Sequence, residues 1–203
     1  MAAAAFDAAY WTARYHAGRD AWDTGAITEP LRAYFAQLGS PDERRILIPG
    51  AGRAYEAEWL HRHGWPQVWV ADLAPEPLVA LQQRVPDFPA QHLLLEDFFA
   101  LPPAPPYDLI VEQTFFCALD PGLRARYAEQ CARLLRPGGK LVGLLFETTF
   151  GNPAEPPFGG NRDEYRRYFA PYFDFVHFDP AHNSIEPRRG RELFICLRRK
   201  AHG

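Results

Sequence analysis

Three short stretches of this 203-residue chain combine residue types that suit an adenosine. Pro49-Gly50-Ala51-Gly52 directly follows the β-rich run 45–49. Gly50 permits a tight turn and Gly52 lets a ligand approach the backbone, because neither carries a Cβ. Asp72 ends the apolar run 68–71 about twenty residues further on, where a carboxylate accepts hydrogen bonds from both ribose hydroxyls. Glu96-Asp97-Phe98-Phe99 follows a third run, 92–95, and there Asp97 meets an adenine amino group while Phe98 packs on the ring. A plainer reading stands beside each: a strand-to-helix turn, a turn or helix cap, and an N-cap next to core aromatics.

Which cofactor carries the adenosine is a separate question. A dinucleotide fingerprint needs a third glycine where this chain has Tyr55, and that bulk disfavours a pyrophosphate on the helix N-terminus. The only lysines, Lys140 and Lys200, have no tyrosine at Tyr-x-x-x-Lys spacing, so hydride transfer is the weaker reading. S-adenosylmethionine needs no phosphate cradle, and its sulfonium suits aromatic faces and a carboxylate.

Other chemistries find little support. The only serines, Ser40 and Ser184, lie in no Gly-x-Ser-x-Gly elbow. His61 and His63 face different ways on one helix, His177, His182 and His202 lack ligand spacing, and no metal site is expected. Cys117, Cys131 and Cys196 form no CxxC pair and read as buried thiols of a reducing compartment. No catalytic nucleophile or general base is assigned. Phe115, Phe116, Phe158 and Tyr165 read equally as acceptor pocket or core, and Arg188, Arg189 and Arg191 as an anion attractor or a solvated strand edge.

With 22 basic against 25 acidic residues the net charge is −3, which argues against a nucleic-acid partner. No run approaches a membrane span, and residues 1–6 lack a basic signal-peptide start. A cytoplasmic monomer with a small-molecule partner is expected.

Strands and helices must alternate to position these residues. Strands are expected at 45–49, 68–71, 92–95, 109–111, 141–146, 173–178 and 192–198, with helices at 54–63, 76–85, 121–135 and 161–169. Gly64 closes the first of these helices, Asp120 caps the third, and Pro137-Gly138-Gly139 ends it. This order requires right-handed crossovers and an α/β fold with a mostly parallel sheet. Two earlier helices, 6–17 and 27–38, fall where they cover the carboxyl edge of the first strand.

Several longer motifs occur in register: Trp22-Asp23-x-Gly25 with Pro30, Ile48 to Gly52 with Tyr55-Glu56, Asp97-Phe98-Phe99, Tyr107-Asp108-Leu109-Ile110, Thr114 to Ala118, Leu135 to Leu141, and Pro187-Arg188-x-Gly190-Arg191-Glu192. On these the chain resembles the thiopurine S-methyltransferase superfamily, nearest its halide and thiol methyltransferase branch. The resemblance implies a Rossmann-like class I methyltransferase fold: one domain over 1–203, a seven-stranded sheet with helices on both faces, and a helical lid at 1–40. It implies S-adenosyl-L-methionine as cofactor, with S-adenosyl-L-homocysteine as product. The cofactor contacts it implies are Trp11, Tyr15, Trp22, Gly50, Gly52, Asp72, Leu73, Asp97, Phe98 and Glu112, and the acceptor contacts Phe115 and Tyr165. Tyr15 stands where a relative has tryptophan, Ala51 where cysteine is common, Ala54 where glycine is common, and Glu56 and Glu112 where aspartate is usual.

The expected reaction is methyl transfer to a small soft nucleophile: a thiol, thiocyanate, bisulfide or halide. Such acceptors arrive anionic, so no base is required. The alternatives are S-methylation of a larger aromatic or heterocyclic thiol, and a non-catalytic adenosine-binding module.

Overall fold

The computed structural model describes residues 6–20 and 22–201, so the apolar residues 1–5 and His202 lie outside the described part. Seven strands form one sheet in the order β3-β2-β1-β4-β5-β7-β6, with β1 Ile46–Pro49, β2 Val68–Asp72, β3 Leu93–Leu95, β4 Tyr107–Gln113, β5 Leu135–Phe146, β6 Phe173–Pro180 and β7 Glu192–Arg199. β1 to β5 run parallel, while β7 enters antiparallel between β5 and β6. The helices are α1 Ala8–His16, α2 Glu29–Phe35, α3 Tyr55–Arg62, α4 Pro75–Arg84, α5 Arg124–Leu134 and α6 Arg162–Phe169.

Period-two alternation sends each strand's side chains to two cores. Leu47, Ile110, Leu141 and Leu145 meet α5 and α6 on one face, where Tyr127, Cys131, Tyr165 and Phe169 are buried. Ile46, Ile48, Leu109, Val111 and Val142 meet α2, α3 and α4 on the other through Leu31, Phe35, Leu60 and Leu81. β1 feeds α3 and β4 leads to α5, so the chain leaves neighbouring strands toward opposite faces. A crevice therefore opens beyond the carboxyl ends of β1 and β4, the usual ligand position in such sheets.

Several boundaries differ from the sequence expectation by two or three residues, as in α2 and β4, and two differences alter the local structure. α5 starts at Arg124 behind a 3-10 turn, Pro121–Leu123, in which Asp120 accepts the Gly122 amide at 2.7 Å. Pro137-Gly138-Gly139 is part of β5 and does not follow the helix as a loop: Leu135 already pairs with Tyr107, and the ladder resumes at Lys140 after an irregularity. The left-handed φ of +76° at Gly138 accommodates that bulge.

β4 and β5 approach so closely that a Cβ on Gly143 would lie 2.0 Å from the Glu112 carbonyl oxygen and 2.5 Å from its Cβ. Gly143→Ala is expected to destabilise the protein by about 3 kcal/mol or more, measured by urea unfolding, because neither strand can yield in a paired sheet. An unchanged midpoint would contradict this packing.

Candidate active site

The crevice holds a cavity of about 770 Å³. Its floor is the β1 turn, where Gly50 and Gly52 have φ of +58° and +57°. A Cβ on Gly50 would meet the Phe115 ring at 2.1 Å, so the aromatic wall packs directly on bare backbone there. Ala54 is also left-handed at +57°, which explains why glycine suits this position and marks a local strain in this chain. Tyr55, at the third fingerprint position, donates from its hydroxyl to Asp23 at 3.0 Å.

Asp72 at the end of β2 joins two turns: its Oδ2 accepts the Ala51 amide at 3.0 Å and its Oδ1 the Ala74 amide at 2.9 Å. Burial pushes its carboxyl up to about 6, against the pull of those amides, and the negative Glu76 adds to the rise. Asp97 caps the 3-10 turn Phe98–Ala100 by accepting the Phe99 amide at 2.9 Å, and Phe98 is buried against Phe115 and Tyr127. The capping role and the site position thus coincide in one residue. Leu73, Glu96 and Phe99 complete this acidic, half-apolar end.

The N-terminal segment covers the floor. α1 is tied to α4 by Thr12 and His16, both on Glu76, at 3.2 and 2.9 Å. The Tyr15 hydroxyl donates to the Gly52 carbonyl at 3.3 Å, and the Trp22 indole would lie 3.3 Å from a Gly52 Cβ. Trp11 and Tyr15 meet Trp22 edge-on at 5.8 and 5.5 Å between ring centroids. Arg188 fastens this cover from the far end of the chain: it donates to the Trp22 carbonyl at 2.7 Å, pairs with Glu192 at 3.3 Å and lies over the Phe146 ring.

The opposite wall is formed by Phe6, Phe115, Cys117, Phe146, Phe150 and the Pro156-Pro157 loop. Arg124, almost fully buried, pins that loop through the Phe158 and Gly159 carbonyls and pairs with Glu164 on α6 at 2.8 Å. Arg188 and Arg191 face the cavity here, whereas Arg189 pairs with Glu186 at the surface. Burial pushes the Cys117 thiol well above its ordinary range, and the thiol lies against the Thr114 carbonyl. Among the described residues no histidine or lysine lines the cavity.

Trp11, Tyr15, Trp22, Gly50, Gly52, Asp72, Leu73, Asp97, Phe98 and Phe115 are therefore brought together, and Glu112 and Tyr165 are not. Glu112 is fully buried beneath the wall; one carboxylate oxygen accepts the Phe115 and Phe116 amides at 2.7 and 2.9 Å, and the other accepts the Tyr127 hydroxyl at 2.5 Å. It holds the turn that presents Phe115, with Thr114 left-handed at +61° just before it. Tyr165 packs under Gly160 and donates to the Phe146 carbonyl at 2.6 Å, so it supports the wall from behind. Sequence reasoning missed Arg14, Glu96, Phe146 and Phe150 as lining residues; Glu96 lies in the quoted 96–99 stretch without a role assigned to it, and the other three lie in no spaced motif.

A methyltransferase cofactor fits this lining: two carboxylates at adjacent strand ends beside the β1 turn, and an orphaned buried Nε on Arg14. The model of the thiopurine S-methyltransferase family matches residues 6–194. The chain is 31% identical over 185 residues to a probable thiol methyltransferase 2 of Arabidopsis thaliana, covering 90% of this chain and 81% of the relative. It is 30% identical over 172 residues to a thiopurine S-methyltransferase of Pseudomonas fluorescens (strain SBW25), covering 76% and 78%. Among solved structures, a Burkholderia thailandensis 1,6-didemethyltoxoflavin-N1-methyltransferase with bound S-adenosylhomocysteine shares the fold at a TM-score of 0.75, with 23% identity over 95% of this chain and 86% of that one.

Burial pushes the Glu112 carboxyl up to about 7, against the opposing pull of Tyr127 and the two amides, so the folded protein holds a proton that the unfolded chain releases near pH 4.5. This contribution to stability is complete below about 4.5 and is lost as pH rises through about 7. Glu112→Gln, which keeps an acceptor for both amides, is expected to gain about 3 kcal/mol on the wild type between pH 4 and pH 8. Glu112→Ala leaves these donors unpaired and is expected to cost about 1–3 kcal/mol for each. Urea unfolding across that range checks both, and a pH-independent gap for Glu112→Gln would contradict the buried proton.

Proposed function

The chain belongs to the thiopurine S-methyltransferase family and is an S-adenosylmethionine-dependent methyltransferase, and we propose that it methylates a small soft nucleophile: a thiol, thiocyanate, bisulfide or halide. One observation carries this reading. A single cavity joins an acidic end at β2 and β3 to an aromatic wall with two arginines, and among the described residues no histidine or lysine lines it.

Asp72 would accept the ribose hydroxyls, Asp97 the adenine amino group, and Phe98 and Leu73 would pack against the adenosine. The β1 turn with Gly50 and Gly52 would border it, and Trp11, Tyr15 and Trp22 would cover it. The N-terminal segment as far as Trp22 serves as lid to a single catalytic domain, whereas α2, expected within a lid spanning 1–40, packs Leu31 and Phe35 into the core beside α3 and covers no part of the cavity. When bound, the cofactor supplies an electrophilic methyl group on a sulfonium sulfur.

The protein's own part is placement and dryness. Phe115, Phe146 and Phe150 strip water from an incoming anion, which raises its nucleophilicity, while Arg191, without a carboxylate partner among the described residues, gives that wall the positive potential that draws the anion in. Holding the two reactants in line replaces a bimolecular encounter by a positioned one. No side chain accepts a proton in this scheme, consistent with a buried Cys117 held as a neutral thiol.

A second reading, S-methylation of a larger aromatic thiol, is favoured by the size of the cavity, about 770 Å³, and by its aromatic wall. Formation of S-adenosylhomocysteine, followed with iodide and thiophenol in parallel, separates the two. Turnover of iodide is the expected result. Turnover of thiophenol alone assigns the larger acceptor, and silence with both contradicts the proposal.

A further inference from the structure

We propose that Arg14 of the lid holds the carboxylate of the cofactor's amino-acid tail; the inference rests on the cofactor placement given above. Sheet order fixes the direction of that tail. Adenine at Asp97 and ribose at Asp72 lie beyond β3 and β2, and the next strands are β1 and then β4. The tail must therefore run over Gly50 and Gly52 toward Thr114.

The lid is closest to the floor at this point. Trp22 lies against Gly52 and the Tyr15 hydroxyl holds the Gly52 carbonyl. The Arg14 guanidinium carbon sits 5.6 Å from the Trp22 ring centroid and its side chain lines the cavity.

The charge of Arg14 is uncompensated. One terminal nitrogen donates to the Tyr10 hydroxyl at 3.0 Å, its Nε is buried with no acceptor, and it has no carboxylate partner among the described residues. Its neighbours are engaged: Arg53 pairs with Asp20 and Asp23, Arg84 with Glu58 and Arg188 with Glu192. Arg191 lies over Phe150 on the acceptor wall. A carboxylate brought under a closed lid needs a counter-charge, and a planar fork of donors meets both its oxygens. The tail carboxylate is the one group of the cofactor with that requirement.

The test is calorimetric titration of the full chain with two ligands, S-adenosylhomocysteine and 5′-methylthioadenosine, which shares the adenosine and sulfur but lacks the tail. Arg14→Gln is expected to weaken S-adenosylhomocysteine about tenfold and to leave 5′-methylthioadenosine within about twofold. Arg14→Lys should recover part of the loss. Asp72→Ala, in contrast, should weaken both ligands by at least about tenfold, since both carry the ribose. Equal losses for both ligands in Arg14→Gln would overturn the assignment and make Arg14 a packing element of the lid, as would unchanged binding with a raised KM for the acceptor. If Asp72→Ala changes neither ligand, the cofactor placement itself falls and Arg14 loses its argument with it.

Discussion

Neighbouring strands β1 and β4 send their connections to opposite faces of the sheet, and the rest of the molecule is organised around the gap this leaves. The gap exposes backbone that nothing in the sheet can cover. Three devices close it: a glycine turn tied to β2 through Asp72, a turn after β4 tied down by Glu112, and an N-terminal segment fastened by Arg188. The fasteners come from distant parts of the chain, so the cavity is shaped only when the whole fold is assembled.

Charge is unevenly spread along that cavity. Asp72, Glu96 and Asp97 gather at the β2 and β3 ends, where hydroxyl and amino donors of an adenosine need acceptors, while Arg14, Arg188 and Arg191 line the lid and the aromatic wall together with Asp7 and Asp120. Between them lie rings and bare glycine backbone. A nucleophile that already carries its negative charge gains more from losing water in such a place than from any proton acceptor. A buried acid of the framework serves the same wall: Glu112, its carboxyl pushed up to about 7 by burial, accepts the Phe115 and Phe116 amides and the Tyr127 hydroxyl and so fixes the turn that presents Phe115.

Much of this was legible in the sequence because it is local. Seven apolar runs, a glycine turn and two carboxylates at strand ends are read directly from residue type and spacing, and each lies where expected. What was not legible depends on where a side chain points. Glu112 follows the expected strand 109–111 as a site residue would, yet β4 runs on to Gln113 and strand alternation turns Glu112 inward, where three donors capture it. Tyr165 lies on a helix beside the wall but faces the gap left by Gly160. Arg14 belongs to a stretch that looks like ordinary helix surface, and Arg188 reads from sequence as either an anion attractor or a strand edge; its hold on the Trp22 carbonyl depends on distant parts of the chain meeting at the cavity. The Pro137-Gly138-Gly139 segment shows the limit of local turn signals, since pairing with β4 overrides them.

The central claim is that the protein activates its acceptor by placement and desolvation and supplies no base. The direct measurement is kcat/KM against pH for a series of thiols of graded acidity. The account predicts that the midpoint of each profile follows the ionisation of the thiol itself and shifts from one acceptor to the next. A midpoint that stays fixed across the series would reveal a titrating group of the protein in the reaction and contradict the account.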